Sequence, residues 1–93
     1  MIRSFKDKKT EKVYRQQFSK ELPRNMQKVA LRKLIMIDCA ETLNDLRVPP
    51  ANRLEALKGD RKGQYSIRIT DRFRICFIYQ DGDFFEVEIT DYH

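Results

Sequence analysis

A single histidine, two cysteines, three glycines and no tryptophan occur in this 93-residue sequence, and each scarcity removes a class of protein. One imidazole, with no Cys-x-x-Cys and no His-Glu-x-x-His, leaves too few ligands at workable spacing for a zinc centre. Asp81-x-Asp83 offers two carboxylates, but it lies in a glycine-containing stretch that reads as a hairpin turn, so no metal is expected. The run Lys58-Gly59-Asp60-Arg61-Lys62-Gly63 lacks the spacing and the following helix of a phosphate-cradling loop, and no dinucleotide fingerprint is present, so no cofactor is expected either. Long apolar runs are also missing. Leu34-Ile35-Met36-Ile37 is far too short to span a membrane, and the opening six residues hold no stretch of signal-peptide length. The expectation is a cytoplasmic protein without a membrane partner, whose Cys39 and Cys76 stay as buried core thiols rather than a disulfide.

What is present is charge, unevenly spread. The net charge is +5, yet residues 1–80 carry all 19 Lys and Arg against nine acids, while residues 81–93 carry five acids and no Lys or Arg. The body therefore attracts polyanions, and nucleic acid is the obvious class because each neutralised phosphate releases counterions. A lysine-rich solvated surface accounts for the same excess. At this length one domain, spanning 1–93, is expected to bury about 60% of its unfolded surface.

Hydrophobic periodicity divides the chain. Alternation gives a short opening strand over 2–5. A helix over 10–18 carries Val13, Tyr14 and Phe18 on one face, and Pro23 closes it or opens the next element. A second helix over 24–40 repeats Met26, Val29, Ala30, Leu34 and Ile37 at helical spacing. Its other face holds Arg24, Lys28 and Arg32, a stripe that suits RNA contact and equally reads as a solvated face. An irregular connection over 42–52 follows, with a helical turn near 43–46. The period then changes to two: a short strand over 54–57 precedes strands around Ile67, Ile75 and Val87. Two helices followed by a mostly antiparallel sheet is an α+β layout.

A two-residue turn at Asp81-Gly82 would pair Phe77 with Glu86 and bring acids among core residues. A three-residue turn with Gly82 left-handed pairs Phe77 with Phe85 and Ile75 with Val87, and is the register expected. In it Arg74, Cys76, Glu86 and Glu88 share the face away from the helices, with Arg74 opposite Glu88 as a cross-strand ion pair. Lys58, Arg61 and Lys62 in the basic loop could grip a phosphate or stabilise a pentacoordinate transition state, although an exposed polar connection needs no function. The sole histidine, His93, follows Asp91 and Tyr92. A terminal histidine is usually frayed and idle, but an adjacent strand and carboxylates would hold it and favour a protonated imidazole suited to general acid work.

The segments Leu57-Lys58-Gly59-Asp60-Arg61, Ser66-Ile67-Arg68-Ile69, Phe73-Arg74-Ile75-Cys76-Phe77 and Val87-Glu88-Ile89-Thr90-Asp91-Tyr92-His93 resemble, in that order, the HigB branch of the RelE/ParE toxin superfamily. Met1-Ile2-Arg3-Ser4-Phe5 and Arg47-Val48-Pro49-Pro50-Ala51-Asn52-Arg53-Leu54 fit as well, so the resemblance covers essentially the whole chain. It implies a RelE-like fold and a toxin that enters the ribosomal A site of the 70S ribosome and cleaves mRNA without a metal. It further implies silencing by a HigA-type helix-turn-helix antitoxin, the complex repressing its own operator DNA. By position, Lys58 and Arg74 match cationic phosphate-binding residues, and Asp91, Tyr92 and His93 the terminal catalytic set. The implied roles are His93 as general acid, Asp91 as base or orienter, Tyr92 as positioning or stacking group, and Lys58 and Arg74 as electrostatic stabilisers. Arg61, Lys62 and Arg68 are the further expected contacts to RNA phosphate. Glu55 stands where some relatives have a histidine three residues before the lysine, so it is a second candidate base; Tyr65 and Phe73 stand where tryptophan is frequent. The alternatives are a ParE-like DNA gyrase inhibitor and a non-catalytic nucleic-acid-binding module.

Overall fold

The computed structural model describes residues 1–92. Asp7 starts the first helix, α1 (Lys8–Tyr14), because its carboxylate accepts from the Thr10 amide at 2.9 Å. The helix therefore begins two residues before the expected start at Thr10. It stops four residues short of Phe18, because Gln16 adopts a left-handed φ of 63°. Thr10 is fully buried, and its hydroxyl accepts from the Ile89 amide at 2.9 Å, which pins α1 to the last strand.

The second helix, α2 (Arg24–Cys39), follows Pro23 as the helical spacing predicts. Pro23 has no side-chain cap to offer, and the Gln27 amide closes the preceding turn, donating to the Ser19 and Leu22 carbonyls at 2.8 and 2.9 Å. Met26, Ala30, Leu34 and Ile37 are buried against the sheet, and Val29 is half-buried. Asp38 joins three elements, accepting from the Ile2 amide and the Tyr14 hydroxyl, both at 2.9 Å. Cys39 is exposed at the helix end, not buried as expected; only Cys76 is a buried thiol. A 3-10 turn at Leu43–Arg47 carries a capping box between Thr42 and Asp45.

Four strands, β1 (Glu55–Ala56), β2 (Tyr65–Arg68), β3 (Phe73–Gln80) and β4 (Asp83–Asp91), form one antiparallel sheet in the order β1-β2-β3-β4. The opening residues add parallel bridges, Ile2 with Phe84 and Phe5 with Val87, rather than a continuous strand. One sheet face carries Ile67, Ile75, Phe77, Phe84, Val87 and Ile89 into the core beneath the helices. Phe77 and Phe84 meet edge to face with centroids 5.3 Å apart.

The hairpin register corrects the sequence expectation. Gln80 pairs with Asp83 around a two-residue turn in which Asp81 and Gly82 both have positive φ, 52° and 86°. This is a type I′ geometry, whose twist matches the strands. Burial of Glu86 opposite Phe77 is avoided by a β-bulge. Pairing jumps from Ile78–Phe85 to Cys76–Glu88, so Glu86 and Val87 together oppose Phe77. Glu86 takes φ 51° and stays exposed while Val87 enters the core. Below the bulge Arg74 faces Thr90, not Glu88, so the expected Arg74–Glu88 pair does not form.

Candidate functional site

The register sets which side chains share the sheet face away from the helices. Glu55 pairs with Ser66, Ser66 with Cys76, Arg68 with Arg74, Cys76 with Glu88 and Arg74 with Thr90, so alternation places all of them on this open face. Serine, cysteine, arginine and glutamate in place of aliphatics give it a polar floor that the helices do not cover.

Arg74 is the most tightly held cation of the cluster. Its Nε donates to Ser66 Oγ at 2.8 Å and its Nη2 to the Arg53 carbonyl at 2.6 Å, with Glu55 Oε1 at 3.9 Å. Arg53 adopts a left-handed φ of 47° after the 3-10 turn Pro50–Asn52, and that turn presents its carbonyl to Arg74. The Arg74 side chain is only 11% exposed, whereas Glu55 is 57% exposed beside it. A fixed guanidinium next to an accessible carboxylate is suited to binding a phosphate and relaying a proton.

Glu88 anchors the second cation. It accepts from Arg61 at 3.1 Å and lies 3.5 Å from Lys6. Arg61 also donates to Gln64 Oε1 at 3.1 Å, fixing the loop over 58–64 against the sheet. The Glu88 hydrogen bond holds the Arg61 pKa above its usual value, so this cation stays charged. Lys58 and Lys62 flank the 3-10 turn Gly59–Arg61; both are exposed, and neither has an ion-pair partner among the described residues. Arg68 pairs with Asp71 next to the β2–β3 turn.

Tyr92 borders the same face at its Cys76 position. Its amide donates to the Arg72 carbonyl at 2.6 Å, extending the ladder beyond β4, and its hydroxyl lies 3.7 Å from Cys76 Sγ. Burial, then the Cys76 contact, raises its pKa, so the phenol remains protonated at neutral pH. At 40% exposure one part of the ring stays open to solvent. Asp91 pairs with Phe73 in the ladder and therefore lies on the opposite side of the sheet from Tyr92. Its carboxylate forms a fork with Arg72 at 2.7–3.0 Å. Asp91 is thus not brought to the Arg74 cluster. His93 lies outside the described residues.

The structure therefore gathers Arg74, Arg61, Tyr92 and Glu55 on one face and keeps Asp91 off it. Ser66 and the Arg53 carbonyl, which seat Arg74, and the Cys76 contact to Tyr92 are not among the sequence-predicted site groups, and Glu88 pairs with Arg61 and Lys6 rather than with Arg74. Period-two alternation already puts Ser66 and Cys76 on the Arg74 face; their roles as supports were the missing step. Among the described residues, no group of three or more His, Cys, Asp or Glu is placed to share a metal ion, and no helix is long and apolar enough to cross a membrane.

Comparison with known proteins gives a consistent picture. A family model described as the RelE-like toxin of type II toxin-antitoxin system HigB matches residues 3–93. Toxin HigB-1 of Vibrio cholerae is 40% identical over 83 residues, covering 88% of this chain and 87% of that protein. Endoribonuclease HigB of Proteus vulgaris is 31% identical over 93 residues, the full length of both. Among solved structures, the YoeB-YefM complex from Staphylococcus aureus matches with a TM-score of 0.62 at 20% identity, covering 100% of this chain and 98% of that one. YafQ from E. coli matches at 0.59 and 14% identity, covering 98% and 91%. These two likenesses bear on the fold, two helices on a four-stranded antiparallel sheet, and the sequence matches bear on the family. The chain belongs to the HigB family of RelE-like toxins of type II toxin-antitoxin systems.

Proposed function

We propose that this toxin is an endoribonuclease that cleaves mRNA in the ribosomal A site by metal-independent acid-base chemistry, acts in the cytoplasm and is silenced by a helix-turn-helix antitoxin. The observation that carries the reading is the open-face cluster, in which Arg74 is fixed by Ser66 and the Arg53 carbonyl beside an accessible Glu55 and on the face that Tyr92 borders. The name of the Proteus vulgaris relative, Endoribonuclease HigB, supports it.

In this reading the ribose 2′-hydroxyl attacks the neighbouring phosphate, and the bond to the 5′ oxygen breaks, leaving a 2′,3′-cyclic phosphate and a 5′-hydroxyl. One group must take the 2′ proton, another must protonate the departing oxygen, and cations must balance the charge spreading over the phosphate. Glu55 suits the first task, because it stands on the Arg74 face while Asp91 is forked to Arg72 on the other side. Asp91 then acts as a positioning residue, tying the end of β4 to the β2–β3 turn. His93, which directly follows Tyr92 in sequence, is the general acid. Arg74 and Lys58 stabilise the phosphorane-like charge, and Tyr92 offers a ring face to a base. Arg61, Lys62 and Arg68 bind flanking phosphates, the two arginines through donors left over from their ion pairs.

The test is His93→Gln in cleavage of mRNA on programmed ribosomes. The variant should lose at least about a hundredfold in rate, the usual range for removing a general acid. Wild-type cleavage by this variant, or intact mRNA accompanied by gyrase-dependent DNA breaks, would overturn the assignment.

A further inference from the structure

On the helical side of the molecule, the end of α1 and the first half of α2 enclose a shallow groove of about 460 Å3. Val13, Phe18 and Leu31 supply its apolar lining, and Arg24, Gln27 and Lys28 its polar rim. The left-handed turn at Gln16 sends Phe18 away from the core face it would have shared with Val13. Phe18 is 51% exposed, and the Arg24 guanidinium stands 4.7 Å from the centre of its ring, so a cation holds the aromatic at the surface. Ile35, one turn beyond Leu31 on α2, is 46% exposed and prolongs the apolar stripe. Large apolar side chains grouped with cations on one face mark a docking surface rather than a solvated helix. A phosphate backbone would use the cations but gain nothing from Leu31 and Ile35, so the composition favours a protein partner.

Membership of a toxin-antitoxin family supplies that partner, and the charge selects its chemistry. We propose that this groove docks an amphipathic segment of the cognate antitoxin, with apolar side chains seated between α1 and α2 and Asp or Glu side chains flanking them to meet Arg24 and Lys28. The proposal rests on family membership and not on the ribonuclease reading.

The experiment pairs calorimetry with hydrogen exchange, using the full chain and its cognate antitoxin. The triple variant Phe18→Ala, Arg24→Glu, Lys28→Glu should weaken antitoxin binding at least about tenfold, since an aromatic anchor and two charge contacts are lost. Arg74→Met should leave that affinity unchanged. All three groove positions are exposed and the fold is checked by circular dichroism; exchange on the wild-type pair needs no variant and should show antitoxin protection within residues 13–31. Unchanged affinity, or protection confined to 53–92, overturns the proposal. So does a triple variant that loses toxicity while binding antitoxin normally, which would make the groove a ribosome contact. A wild-type dimer abolished by Phe18→Ala would make the occupant a second copy and likewise overturn it. Failure of the ribonuclease reading would leave the affinity difference in place.

Discussion

Removing the Arg74 guanidinium separates a catalytic cation from a structural one. The side chain is 11% exposed and held by Ser66 Oγ at 2.8 Å and the Arg53 carbonyl at 2.6 Å, so its charge is already in place before RNA arrives. Preorganised donors of this kind each contribute about 2.7–4 kcal/mol to a charged transition state, or roughly a hundred- to thousandfold in rate. Arg74→Met should therefore lower the single-turnover cleavage rate on programmed ribosomes by roughly that factor. Toxin binding to the ribosome, a many-contact interaction, should change by less than about threefold. Arg74→Lys keeps the charge, but one ammonium on a flexible stem cannot reproduce the forked seating on Ser66 and Arg53, so it should recover no more than about tenfold. The lost hydrogen bonds cost about 1–2 kcal/mol of fold stability, so rates are compared at a temperature where each variant is folded by circular dichroism. A folded Arg74→Met protein cleaving within about threefold of wild type would falsify the electrostatic role and, with it, the location of the site on the open face.

Glu86 holds a left-handed φ at the bulge with its side chain exposed, so Glu86→Gly should relieve about 0.5–1 kcal/mol of strain and raise the urea midpoint; a lower midpoint would mean the carboxylate stabilises the bulge. Native protein should react with Ellman's reagent at Cys39 alone and release a second thiol, Cys76, only on unfolding; two fast thiols would contradict its burial beneath Tyr92. Burial, then the Arg32 and Arg68 charges, depresses the Lys33 pKa below 10.5, and its ammonium hydrogen-bonds the buried Asn52 amide. The folded state then binds fewer protons than the unfolded one between the lowered value and 10.5, so stability rises with pH across that window. Lys33→Met should abolish the rise, and equal pH slopes for variant and wild type in denaturant titrations would refute it. Arg72→Ala removes the fork to Asp91, and cleavage should fall by about tenfold if Asp91 orients the chain end through it; unchanged cleavage alongside inactive Asp91→Asn would return Asp91 to the role of base.

Elements with a strong apolar period were legible in the sequence. The Met26, Ala30, Leu34 and Ile37 repeat predicts α2 to within one residue, and alternation predicts β2, β3, the Val87 and Ile89 part of β4 and the open-face placement of Arg74, but not the core place of Phe84, which it assigns to Phe85. What escaped depended on single residues that override a pattern. The Asp7 cap moved the start of α1, and the Gln16 turn diverted Phe18 to the surface. Residue type alone puts Cys39 in the core, yet it follows exposed Ile35 by one turn on α2 and shares its outward face.

The hairpin error reaches into the site itself. A continuous two-residue ladder sets Glu86 opposite Phe77, which favours the three-residue turn only if no residue leaves the ladder. Glu86 does leave it, in a conformation that glycine would have advertised and glutamate conceals. With the expected turn, Phe73 would face Ile89 and the chain end would pass beyond β3. With the I′ turn and the bulge, Phe73 faces Asp91, and β4 slides two residues along its partner. Beyond the bulge the shift is even, so Val87, Glu88 and Ile89 keep their expected faces and Arg74 stays on the open one; before it the faces exchange, and Phe84 takes the core place expected of Phe85. The shift nevertheless changes what the chain end touches: Asp91 comes into reach of Arg72, the Tyr92 amide bonds to the Arg72 carbonyl, and the Tyr92 hydroxyl comes within 3.7 Å of Cys76 Sγ. The bulge is therefore what makes the terminal residues part of the sheet, and through it an exposed glutamate outside the Arg74 cluster decides which residues of the chain end border that face.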